Sequence, residues 1–306
     1  MDDHYNPPKA ITRLSQGFKH TWQMRDTWQD RCKHSGKLIP HKNVAINYNH
    51  IANYAGDPLL KDINNKKMRG VLTEIRADRG SSNATLNRIL STLTTIYSQC
   101  SLDEYVDAVP KFQRYKEEGH RKTFYERDHV EIMSEYARQS GRIAMADAIE
   151  VLAWSGMRVG TELLVMRAWD VDLRNDCFLI GGTPETRTKG RNFRRVPIHK
   201  NVRSIVERRA KGVAGNTPLF DEFTNYFQFR REFAPCFRAL QREHDHMNDE
   251  LYFIHTLRHS FGTWMVAAGI PIAKVQQWMG HSSVKVTEGY THNVTTGDSQ
   301  LMDGVD

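Results

Sequence analysis

Apolar residues recur at intervals of three and four along most of this 306-residue chain, a spacing that commits it to a mainly helical fold. The sharpest instance is Leu86, Ile89, Leu90, Leu93, Ile96 and Tyr97, which share one face of a helix and mark that face for burial. Asp78-Arg79-Gly80-Ser81-Ser82-Asn83 sets its boundary: Gly80 ends the element before it, and Ser82 or Asn83 can cap exposed amides. An earlier helix around Val44 to Tyr54 stops at Gly56-Asp57-Pro58, because proline cannot continue it. Val130, Met133, Tyr136 and Ala137 share a face after a cap at Asp128. Ala144, Ala148, Val151 and Leu152 share another before Ser155-Gly156 closes that helix. One stretch departs. Between 171 and 198, Phe178-Leu179-Ile180 and Arg194-Arg195-Val196-Pro197-Ile198 are separated by Gly181-Gly182-Thr183-Pro184 and a basic tip. That is the pattern of a small sheet with an extended hairpin. The expected fold class is therefore mainly α with a small antiparallel β-sheet (α+β).

The length suits two domains. Residues 1–12, with Pro7 and Pro8, read as a flexible tail, and 13–110 as a helical domain. Residues 111–122, charged and with few apolar anchors, read as a linker, and 123–306 as a second domain. No run approaches the roughly 20 apolar residues that cross a bilayer. The start has no basic flank followed by an apolar stretch, so no secretory signal is expected and the protein should stay in the cytoplasm. Cys32, Cys100, Cys177 and Cys236 form no CxxC pair, which argues against a zinc ribbon or a disulfide framework. The net charge of +7 favours a polyanionic partner, a nucleic acid or an anionic membrane surface. From Arg187 to Lys211 there are ten Lys or Arg residues against one acid, Glu207, and such a local patch is expected to meet phosphates.

Three separated segments concentrate residues suited to phosphate chemistry. The first is Ser155-Gly156-Met157-Arg158-Val159-Gly160-Thr161-Glu162-Leu163-Leu164, and the second is Thr188-Lys189-Gly190-Arg191. The third is His255-Thr256-Leu257-Arg258-His259-Ser260-Phe261-Gly262, continuing to Gly280-His281-Ser282-Ser283 and Gly289-Tyr290-Thr291-His292. His255 and His259 have the i, i+4 spacing of a helical metal chelate. A zinc protease would place glutamate after the first histidine, where this chain has Thr256, and Arg258 between the pair opposes a metal ion. Neither a metal nor another cofactor is expected.

These strings resemble the signature of the phage-integrase family, the tyrosine recombinases, over roughly residues 120–293. The HxLRHS string, the GHSS string and a tyrosine nine residues after His281 make the combination specific. The resemblance implies a catalytic domain over 123–306, preceded by a helical core DNA-binding domain over 13–110. It makes Tyr290 the nucleophile, and Arg158 and Arg258 the two arginines that hold the non-bridging oxygens of the attacked phosphate. A phenol of pKa near ~10 needs such a cationic pocket and a proton acceptor to react at neutral pH. Lys189 matches the family's hairpin lysine, the general acid for the departing 5′ oxygen. Arg191 and Arg187 are its rivals, but an arginine does not readily give up a proton. His255, three residues before Arg258, resembles the histidine that contacts the phosphate and helps manage the tyrosine proton. His281 resembles the family's histidine or tryptophan that donates to a phosphate oxygen. His259 is expected to support from behind, and Trp264 and Trp278 to be core anchors. The family's supporting acid usually stands three positions after the first arginine. Here Thr161 occupies that place and Glu162 follows, so Glu162 is the expected acid.

The implied activity is site-specific cutting and rejoining of double-stranded DNA through a 3′-phosphotyrosyl intermediate, without metal or nucleotide cofactor. Integration or excision of a mobile element is the expected use, with a dimer on each DNA site and a homotetramer across two. No segment before residue 12 reads as an additional arm-binding domain. The alternatives are a Xer-like resolution of dimers, a type IB topoisomerase, or a basic helical protein that binds DNA without cutting it. The intact set of Tyr290, Arg158 and Arg258 favours an enzyme over the last.

Overall fold

The computed structural model describes residues 5–32, 38–117, 123–181, 193–247 and 252–281. The chain divides into two compact units, Met1–Gly119 and His120–Asp306.

The first unit contains α1 (Leu14–Met24), a short antiparallel ribbon of β1 (Gln29–Arg31) and β2 (Leu38–Pro40), α2 (Lys42–Ala55), α3 (Asn65–Arg79) and α4 (Asn83–Leu102). Helix α4 is its axis. Leu86, Ile89, Leu90, Leu93, Ile96 and Tyr97 are all buried, as their spacing predicts, and α1 and α2 pack against them. Ser82 is the residue that caps α4, its side chain accepting from the Thr85 amide, while Gly80 ends α3 in the left-handed conformation. The β1–β2 ribbon has no counterpart in the sequence pattern: three-residue strands are too short for alternation to register.

Residues 111–117, the first part of the expected linker, lie bound along α3 and α4. The Asn87 side chain brackets Tyr115, accepting from its amide at 2.9 Å and donating to its carbonyl at 2.9 Å. Asn83 donates to the Lys116 carbonyl at 2.7 Å, and the Arg76 guanidinium lies over the Tyr115 ring. Side-chain amides thus stand in for the strand that an extended segment would otherwise need.

The second unit contains α5 (Arg127–Gln139), α6 (Ile143–Ser155), β3 (Val171–Asp172), β4 (Cys177–Ile180), β5 (Arg194–Pro197), α7 (Lys200–Ala210), α8 (Tyr226–Glu243), α9 (Thr256–Ala267) and α10 (Ile272–Met279). Strands β3, β4 and β5 form one antiparallel sheet in that order, with Phe178 opposite Val196 and Ile180 opposite Arg194. This is the α+β fold expected. Helix α5 starts two residues earlier than the sequence signals, at a capping box of Glu126 and His129 in place of a cap at Asp128. Helix α6 is buried along nearly its whole length and packs against α5, α7 and α9. Trp264 of α9 is a core anchor, its indole donating to the Tyr125 carbonyl at 3.1 Å.

Candidate active site

The site is assembled at the ends of three helices. Helix α6 ends at Gly156, whose φ of +65° favours glycine, and a β-carbon there would sit 2.5 Å from the Phe261 ring. The chain then turns tightly through 158–163, with the Glu162 and Leu163 amides both donating to the Arg158 carbonyl. That turn folds Glu162 back onto the residue four positions earlier. One carboxylate oxygen accepts from the Arg158 guanidinium at 2.7 Å, and the other accepts from the Arg158 amide at 2.9 Å. Thr161, at the family's usual position for the acid, is exposed, and Glu162 is the residue bonded to Arg158.

Two further guanidinium groups close on the same carboxylate. Arg194 of β5 donates to it at 2.7 Å, and Arg258 of α9 approaches to 3.7 Å. The Glu162 side chain is sealed at 0% exposure, Arg258 at 2% and Arg194 at 5%, while Arg158 keeps 36% and faces solvent. Burial alone would raise the Glu162 pKa. Arg194 first, then Arg258 and the Arg158 amide, outweigh it and hold the acid below its usual range. Glu162 is therefore a fixed anion, and three cations converge on it.

His255 stands immediately before α9 in helical backbone conformation, its ring edge-on to His259 at 5.1 Å. Burial, reinforced by Arg258 and Arg158 and opposed by Glu162, pushes its pKa down to about 4. At neutral pH it is an uncharged imidazole beside two guanidinium groups, and the same burial and cations make it a weak base while no phosphate charge is present. Arg258 also donates to the carbonyls of Gly156 and Met279, tying the ends of α6 and α10 together. His281 follows that end of α10, after Gly280 in the left-handed conformation, and is half-buried. Arg158, Glu162, Arg258 and His255 thus meet in one place, with His281 at its edge. Lys189 and Tyr290, like Arg187, Arg191 and the chain beyond His281, lie outside the described residues.

A family model described as the phage integrase family matches residues 122–296, more than half the chain and all of this cluster. The chain belongs to the phage integrase family. Among curated relatives, a tyrosine recombinase XerC from Pediococcus pentosaceus is 26% identical over 70% of this chain and 73% of its own. Another XerC, from Pelobacter propionicus, is 34% identical over 47% of this chain and 46% of its own. Among solved structures, the Tn1549 transposon integrase in complex with a circular intermediate DNA shares the fold with a TM-score of 0.70. It is 17% identical, over 96% of this chain and 99% of that one. A lambda integrase dimer bound to a core site has a TM-score of 0.64 at 17% identity, over 92% and 77%. As a phage integrase family member the protein is a tyrosine recombinase, an enzyme that breaks and rejoins DNA strands.

Two features of this recombinase are not written in its local sequence. In the basic stretch 187–211, four of the seven described cations are ion-paired, while Arg195, Lys200 and Lys211 are exposed. Arg194 is committed to Glu162, Arg203 to Asp176, and Arg208 and Arg209 to the buried Asp147. Its carboxylate partners, distant in sequence, were invisible to a local charge count. Arg194 is also a member of the central cluster that composition hides. The signal existed in the period of two: in Arg194-Arg195-Val196-Pro197 the first arginine shares the inward face with Val196.

Proposed function

We propose that this tyrosine recombinase acts on double-stranded DNA as a site-specific integrase, with Tyr290 attacking a backbone phosphorus to form a 3′-phosphotyrosyl link. The observation that carries the proposal is the convergence of Arg158, Arg258 and His255 around Glu162. Arg158, the solvent-facing guanidinium, receives a non-bridging oxygen, and Arg258 adds positive charge from beneath. His255, neutral in the free protein, accepts a proton as the tyrosine oxygen bonds to phosphorus and the negative charge growing there offsets the two guanidinium groups that lower its pKa. His281 donates to a phosphate oxygen, and Lys189 supplies the proton that the departing 5′ oxygen needs. A 5′ hydroxyl from a partner duplex then attacks the phosphotyrosine, so one phosphodiester replaces another without ATP. No metal is required, since guanidinium groups supply the positive charge. A dimer on each site, joined as a homotetramer across two, carries out the exchange. The solved complexes of a transposon and a phage integrase with DNA support a mobile element as the beneficiary.

The test uses a pool of labelled duplexes with a randomised centre, nicked so that the cleaved fragment diffuses away. The wild-type chain should yield a labelled adduct that survives denaturation, in EDTA as well as without it. Tyr290→Phe should yield none. Sequencing the captured DNA gives the site. An adduct from Tyr290→Phe, or one abolished by EDTA, refutes the mechanism.

A further inference from the structure

Helix α10 cannot finish itself. Of its last four carbonyls, that of Gln276 accepts from the Gly280 and His281 amides, and that of Gln277 from the Gly280 amide. Those of Trp278 and Met279 accept from side chains: Arg194 Nε at 2.7 Å, and Arg258. A helix C-terminus carries partial negative charge and unpaired acceptors, so buried cations suit it doubly. Arg194 does this while its other edge, Nη2, holds Glu162 at 2.7 Å. Its guanidinium also fills the space beneath Gly280. A β-carbon at 280, where φ is +65°, would lie 3.0 Å from Nη1.

We propose that Arg194 is a positioning residue, which locks the end of α10, and with it His281, to the Arg158–Glu162 pair. It touches no reacting atom. Its planar fork bridges two partners from two edges, the Glu162 carboxylate and the Trp278 carbonyl. A lysine ammonium, one point charge on a flexible stem, keeps the ion pair but cannot reproduce the bridge. Helix α10 lies against β5, so the strand that carries Arg194 sets the height of the helix end. The inference rests on the recombinase reading above, because it assigns His281 a phosphate to meet.

The experiment measures single-turnover cleavage and DNA affinity on a duplex recovered by the covalent capture described above. Arg194→Lys should cleave about a hundredfold more slowly, the scale of a one-ångström misplacement, with affinity changed by no more than about twofold. In a His281→Ala background the same substitution should cost no more than about twofold, since both changes then act through one lost contact. Should Arg194→Lys not fold, Gly280→Ala presses the same contact from the opposite side and should show the same split between rate and affinity. Wild-type cleavage by the variant that folds overturns the proposal, as does a loss for Arg194→Lys that is undiminished without His281. If the wild-type chain forms no adduct, the recombinase mechanism has failed instead, so the two failures are distinct.

Discussion

Replacing Glu162 with glutamine removes one charge and almost no volume, and the effect should be large. The carboxylate accepts from Arg158 on one oxygen and from the Arg158 amide and Arg194 on the other. Glutamine must turn its NH2 toward one of these donor sets, so at least one contact becomes donor against donor. Arg158, 36% exposed, can recover hydration and is counted as costing nothing. Arg194 and Arg258 are sealed and cannot. Breaking a buried ion pair from one side costs about 3–5 kcal/mol. For a unit of this size each kcal/mol moves the melting temperature by about 2–4 °C, so a fall on the order of 10 °C is expected. Scanning calorimetry at pH 7.5 reads it, with the exposed Thr161→Ala as a control that should shift by no more than about 2 °C. The difference should shrink in acid. A carboxylate with a depressed folded pKa stabilises fully above its unfolded value, and that stability is lost as pH falls through the folded one. A Glu162→Gln protein melting within about 2 °C of wild type would refute the account of the cluster.

Two other perturbations test its neighbours. His255 has a folded pKa of about 4 against an ordinary 6.5, so the unfolded chain binds the extra proton and stability falls as pH drops between those values, by about 3 kcal/mol in full. Urea midpoints at pH 7.5 and 4.5 should lie closer together in His255→Gln than in wild type, and an unchanged gap would remove His255 as their cause. Gly156→Ala forces a side chain into the left-handed region and against Phe261, at a cost of about 2–4 kcal/mol, and displaces the turn that carries Arg158. It should lower both the melting temperature and the cleavage rate, whereas a wild-type melt would mean that the turn relaxes freely.

The legible parts of the chain were those written in short-range patterns. The buried stripe of α4, the glycine that ends α6 and the sheet within 171–198 all follow from spacing and turn chemistry. Arg158, Glu162, Arg258 and His255 were legible as residues, because their strings are contiguous. What the strings could not carry was how the groups divide. Arg158 faces solvent while Arg258 is buried and committed to two backbone carbonyls, a difference set by where α6 and α10 end. A charge count along the chain cannot show which arginines of the basic stretch are paired, since Glu162, Asp147 and Asp176 meet them across the fold. The strap at 111–117 is held by Phe112 and Tyr115, packed against the core, and by the amides of Asn83 and Asn87, polar residues that hydropathy does not score.

A buried glutamate in a centre proposed to bind phosphate looks self-defeating, since it neutralises a cation that the substrate needs. Charge arithmetic resolves this. Among the described residues, Arg158, Arg194 and Arg258 carry three positive charges and Glu162 one negative, which leaves two. A phosphodiester carries one negative charge. Attack by a phenolic oxygen that has surrendered its proton raises the total on the pentacoordinate phosphorus to two. On the proposed mechanism the tyrosine proton passes to His255, so the positive surplus rises from two to three as the negative charge on phosphorus rises from one to two. The attraction is stronger in the transition state than in the ground state, the difference on which rate enhancement depends. Without Glu162 the three guanidinium groups would repel one another in the absence of DNA, and the ends of α6 and α10 that they cap would separate with them. With Glu162 the cluster is assembled beforehand, and a neutral His255 beside it can take the proton without adding charge until the bond forms. Glu162→Gln should therefore slow the cleavage step more than it weakens DNA affinity. A variant that bound DNA poorly but cleaved at the wild-type rate once bound would show that the glutamate serves binding and not the reaction.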